Sequence, residues 1–109
     1  MEIKQAFDIL SDCARAWGSD ADWYDSMHEP LLSALHRFGQ KTICDFIDAV
    51  RAEGYKTVDD IDELFEELMY DAWNIFKSYQ SDHCDRLAEL WRYRLTALRA
   101  AQSVIERNK

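Results

Sequence analysis

The chain has 109 residues, 48% of them apolar and 31% charged, with 21 acids against 13 Lys and Arg, three Gly and one Pro. That much apolar material offsets chain entropy, which excludes a disordered, low-complexity or collagen-like chain. A net charge of −8 argues against direct nucleic-acid binding, because most of the surface repels phosphate.

The length fits one domain over residues 1–109, able to bury roughly two-thirds of the surface its unfolded form exposes. Cys13, Cys44 and Cys84 are odd in number and widely spaced, matching neither a disulfide framework nor a C-x-x-C knuckle. They read as reduced thiols, mostly small core residues. No basic segment leads into an apolar run near Met1, and no apolar stretch is long enough to cross a bilayer. A cytoplasmic protein without a membrane segment is the expectation.

Ile3, Ala6, Phe7, Leu10, Cys13, Ala14 and Trp17 form one apolar stripe, giving a first helix over residues 2–17 closed by Gly18. Ser19, three residues before Asp22, is a capping-box-like start, and Trp23, Met27, Leu31, Leu35 and Phe38 follow at helical spacing. Pro30 kinks that segment or begins a new helix, and Gly39 supplies its stop. Thr42 before Asp45 opens a short helix through Ile43, Phe46, Ile47 and Val50 to Gly54. Thr57 before Asp60 opens the next, whose stripe is Ile61, Leu64, Phe65, Leu68, Ala72, Phe76 and Tyr79.

No Gly or Pro follows Thr57. Polar residues 78–82 suggest a break near residue 81; the alternative is one helix of about fifty residues needing a partner chain to cover it. The last segment buries Leu87, Leu90, Trp91, Leu95, Leu98 and Ile105. No strand alternation and no internal repeat is evident. The fold class is therefore all-α: a single-domain bundle of about five helices with a long C-terminal helix or helix pair, and dimerisation through those helices is one option.

Charge is unevenly placed: residues 1–85 carry a net −12, and residues 86–109 a net +4 from Arg86, Arg92, Arg94, Arg99, Arg107 and Lys109. The basic end either docks on acids of its own fold or offers a nucleic-acid contact, and self-docking is the simpler reading. Asp59, Asp60, Glu63, Glu66 and Glu67 recur three and four residues apart, opposite the apolar stripe, and make a carboxylate ridge. Neighbours at i and i+4 stand about 6 Å apart, comparable with phosphates along one DNA strand. The chain looks, in size and composition, like the small acidic inhibitors of restriction or CRISPR systems carried by phages and mobile elements. That resemblance implies a DNA-mimic surface occupying the basic groove of a nucleic-acid-binding enzyme.

Glu63 and Glu66, followed by Asp82 and Asp85, resemble the E-x-x-E…E-x-x-D arrangement of MazG-like all-α nucleotide pyrophosphohydrolases. The resemblance implies Mg²⁺ held against a triphosphate by acids on antiparallel helices, chemistry that suits a hard cation. His83 and Cys84, with Cys13, Cys44, His28 or His36 brought near by folding, make a less specified set of zinc donors. Tyr70, Trp73 and Lys77 flank the main stripe of the helix after Thr57. Either the bundle wraps Trp73, or Tyr70 and Trp73 anchor another protein.

The reading that follows is a non-catalytic inhibitor or adaptor with no cofactor. It binds another protein through Asp59, Asp60, Glu63, Glu66, Glu67, Tyr70 and Trp73. The hydrolase with metal ligands Glu63, Glu66, Asp82 and Asp85 is the alternative, and a structural oligomerisation module is a third reading.

Overall fold

The computed structural model describes residues 1–109. It is all-α, with four helices: α1 (Ile3–Ser26), α2 (Pro30–Glu53), α3 (Val58–Ser81) and α4 (Asp85–Arg107). The count is four rather than five because Gly18 and Gly39 are buried inside helices and end none. A Cβ on Gly39 would stand 2.7 Å from Cε3 of Trp17, and one on Gly18 would collide with Nε2 of Gln40. Both glycines let α1 and α2 approach closely, a tertiary use that resembles a stop signal in sequence. Thr42 likewise caps nothing. It lies mid-helix, and its hydroxyl donates to the Phe38 carbonyl at 2.8 Å.

The true punctuation is the same at all three turns. The Glu29 amide donates to Tyr24 O and that of His28 to Asp25 O; Cys84 and His83 repeat this on Tyr79 O and Gln80 O, and Tyr55 and Gly54 on Val50 O and Arg51 O. These are Schellman closures, which place one residue in the left-handed region. Gly54 (φ 66°) suits it, whereas His28 (φ 58°) and His83 (φ 59°) hold it despite their side chains. Pro30 starts α2 at its first turn, where no amide is required. The Thr57 hydroxyl accepts from the Asp60 amide at 3.3 Å and caps α3. The chain therefore breaks after Ser81 and does not continue as one unbroken C-terminal helix.

The turns also reveal a repeat that the sequence conceals. A single offset, the one that carries Ile3 to Val58, also carries Ser26 to Ser81 and Pro30 to Asp85, so it lays α1 on α3 and starts α2 where α4 starts. At that offset the two hairpins share residue identity only at Tyr24, Ser26, His28, Leu32, Leu35 and Arg37 of the first. Their burial agrees more widely: Ala6, Leu10, Ser33, Thr42, Ile43, Phe46 and Val50 are buried, as are Ile61, Phe65, Ala88, Ala97, Leu98, Ala101 and Ile105. One contact pair between α2 and α4 exchanges as an approximate two-fold axis requires. Phe38 meets Trp91 edge-on at 6.2 Å, and the counterpart pair His36 and Tyr93 does so at 5.3 Å.

Around this axis α2 and α4 lie in contact, α1 packs on α2, and α3 packs on α4. The result is a flattened bundle of 39 × 33 × 24 Å. Its fully buried centre, including Leu10, Ile43, Phe46, Ile61, Phe65, Leu98 and Ile105, gathers where α1 and α3 begin and α2 and α4 end. Phe46 stacks on Phe65 with centroids 4.1 Å apart. Toward the hairpin turns the cover thins, and Trp23, Met27, Leu31 and Leu87, assigned by periodicity to buried stripes, are exposed. No helix is long and apolar enough to cross a membrane.

Candidate functional site

The α3 stripe buries Ile61, Leu64, Phe65 and Ala72, chiefly on the side facing α4, with Phe65 stacked on Phe46 of α2, which fixes what points away. With about 3.6 residues per turn, Asp59, Glu63, Glu66, Tyr70, Trp73 and Lys77 fall in one row, with Asp60 and Glu67 beside it. The strip from Asp59 to Trp73 is about 21 Å long at about 1.5 Å per residue. Five of the seven residues singled out as partner-binding lie in this row, and Asp60 and Glu67 lie beside it. Tyr70 is 68% and Trp73 43% exposed, so the bundle does not wrap Trp73.

The acids are mostly unneutralised. Asp59, Asp60, Glu63 and Glu67 have no cation in ion-pair contact, while Glu66 accepts only from Gln102 Nε2, at 3.2 Å. Asp59 and Asp60 sit in the first turn of α3, where the helix dipole favours negative charge. The strip's field reaches Tyr55, whose phenol is pushed up by partial burial first and then by Glu53, Glu67, Asp60 and Glu63. At its aromatic end the Lys77 ammonium lies 5.1 Å from the Trp73 ring centroid. A shallow groove of about 290 Å³ there is lined by Glu66, Met69, Tyr70, Trp73, Leu95 and Arg99.

The basic end of the chain is partly used internally. Lys109 bonds Asp62 on α3, Arg92 pairs with Glu89 on its own helix, and an Arg94 nitrogen stands 3.9 Å from Asp45. Arg86, Arg99 and Arg107 pair with no acid.

The acid pairs of the hydrolase resemblance are not brought together. Glu66 and Asp82 are separated by about 24 Å of helix along α3, and Asp82 and Asp85 flank the α3–α4 turn. No three His, Cys, Asp or Glu side chains are placed to hold a metal ion, so Glu63, Glu66, Asp82 and Asp85 form no such set. The zinc donors scatter too: Cys44 and Cys84 are exposed rather than core, Cys13 is half-buried, and His36 is bonded to the Leu32 carbonyl at 2.8 Å.

One crevice was invisible in the sequence. Between α2, α3 and α4 a cavity of about 370 Å³ is lined chiefly by Phe46, Leu68, Ala72, Ile75, Trp91 and Leu98, with Thr42, Asp45, Asp71 and Arg94. The Arg94 guanidinium lies 4.6 Å from the Phe38 ring centroid and 4.7 Å from that of Trp91, and its Nε donates to Thr42 Oγ1 at 3.2 Å. Burial lowers its pKa, against a smaller opposing effect of Asp45. The only local signal was an arginine one residue from the apolar stripe of α4.

The chain matches no family model, no curated protein and no solved structure.

Proposed function

We propose that the protein is a non-catalytic binding protein, an inhibitor or adaptor, whose α3 strip docks on a basic surface of another protein. One observation carries this reading: unpaired carboxylates and two exposed aromatics share one rigid row that the fold leaves open. Exposed aromatic rings beside charge are typical anchors of protein interfaces, and unpaired acids steer a basic partner and add specificity. Carboxylates at about 6 Å intervals on a helix suit a groove built for phosphates, so the partner we favour is a nucleic-acid-binding enzyme. Inhibition by occupation of its groove is a role of the counter-defence kind.

The test begins with affinity capture from nuclease-treated bacterial lysate at low and high salt. The expected result is a basic nucleic-acid-binding protein that is released by salt or by added DNA. The triple variant Glu63→Lys, Glu66→Lys, Glu67→Lys should lose it, and Trp73→Ala should weaken it by about tenfold or more, the effect of losing a hot-spot aromatic. A partner that ignores both changes, or self-association alone, overturns the proposal.

A further inference from the structure

The approximate two-fold axis explains what the crevice between α2, α3 and α4 is shaped for. On the α1 side, the equivalent space is filled by the Trp17 indole. It packs on Gly39, with ring centroids 5.3 Å from His36 and 6.3 Å from Tyr93. When the hairpins are aligned with Ile3 on Val58, Trp17 corresponds to Ala72, and its neighbours Gly39, His36 and Tyr93 to Arg94, Trp91 and Phe38. On the α3 side a methyl group thus stands where an indole would be. Arg94 enters part of the vacated slot, its guanidinium lying against both Phe38 and Trp91, and the remaining space is the cavity of about 370 Å³. That volume lies within the range of about 300–1,000 Å³ typical of small-molecule sites.

Arg94 gives the crevice its chemistry. Of the five guanidinium N–H donors only that on Nε meets an acceptor at hydrogen-bond distance, and the acid nearest the others, Asp45, is held by Lys41 at 2.8 Å. A half-buried guanidinium with open donors is matched by a carboxylate. Asp45 and Asp71, which also line the crevice, repel any anion and a dianion more strongly, so a single carboxylate on Arg94 is favoured over a phosphate ester. We propose that this crevice binds a small planar aromatic monocarboxylate, its ring between Trp91, Ala72 and Leu98 in the place that Trp17 takes on the other side, and its carboxylate on Arg94. The site lies across α3 from the acidic strip and is independent of it.

Because the built-in occupant of the equivalent slot is an indole, indole-3-acetate is the probe and neutral indole-3-acetamide its control. Amide NMR shifts on the full chain should saturate at Thr42, Ala49, Ala72, Ile75 and Leu98, with the acid binding at least about tenfold tighter, as expected for a charge-assisted hydrogen bond. Arg94→Gln should erase that difference, and Ala72→Trp should abolish binding of both compounds by filling the slot internally. Equal affinity of acid and amide for the parent protein, saturation at other residues, or no saturation at millimolar probe overturns the proposal. Should Ala72→Trp not fold, the parent and Arg94→Gln titrations decide the matter alone.

Discussion

Gly18 and Gly39 face each other's helices at similar closeness, yet substitution should affect them in opposite directions. Replacing a helix-interior Gly by Ala contributes about 0.8–1.0 kcal/mol in helix propensity. At Gly18 the new Cβ meets the amide end of Gln40, a half-buried flexible side chain that swings aside, so most of that gain should survive. At Gly39 it meets the six-membered ring of Trp17 at 2.7, 2.9 and 3.1 Å. That indole is also held by His36 and Tyr93 and has no easy retreat, and overpacking of this kind costs about 1–3 kcal/mol. Gly18→Ala should therefore gain about 1 kcal/mol and Gly39→Ala lose about 1 kcal/mol. With a urea dependence of about 2 kcal/mol per molar, the two midpoints should differ by about 1 M. Urea titration followed by helical circular dichroism measures this directly. A Gly39→Ala midpoint at or above that of the parent would show that Trp17 is not seated on Gly39, and the slot argument for the opposite crevice would fall with it.

Three further outcomes follow from the geometry. His83→Gly should stabilise by about 1 kcal/mol, because a side chain in the left-handed region costs roughly that much, whereas a loss of stability would mean that the imidazole supports the turn. With a thiol reagent under native conditions, exposed Cys44 and Cys84 should react first. Cys13, whose pKa burial and then Asp12 push up, should lag by roughly tenfold, and three equal rates would contradict this placement. The Asp25 carboxyl is held below its ordinary value by the Ser33 hydroxyl and then by Arg37, which bonds it at 2.5 Å. A carboxyl lowered by folding contributes stability above its unfolded pKa, and that contribution disappears as pH falls through the folded value. Arg37→Gln should thus raise the Asp25 pKa in a carbon-detected NMR titration and make acid unfolding begin at higher pH. An unchanged Asp25 titration curve would rule out the pairing.

Helix type, the breaks at Gly54 and Ser81, the Thr57 cap and the buried stripe of α3 were legible in the sequence, because period and caps act within a few residues. The acidic strip was legible for the same reason, since residues three and four apart share a face wherever the helix lies. Whether its aromatics were covered was not, because that depends on where α4 packs. The glycines misled for a related reason: a helix-stopping Gly and one admitting a neighbouring helix are identical in sequence, and only the contacts of Gly18 with Gln40 and of Gly39 with Trp17 separate them.

By itself the sequence determined four features of this chain: all-α structure, most of the core-facing positions, the charge asymmetry and the carboxylate row. Only the tertiary structure decided that there are four helices in two related hairpins, that Tyr70 and Trp73 stay open, that the two acid pairs of the hydrolase pattern stay apart, and that Arg94 walls a crevice where Trp17 fills its counterpart. The physical reason is range. Propensity, capping and periodicity are local, whereas closeness of approach, cover and cavities arise between segments far apart in the chain, where hydrophobic burial depends on total volume and leaves little residue identity to read.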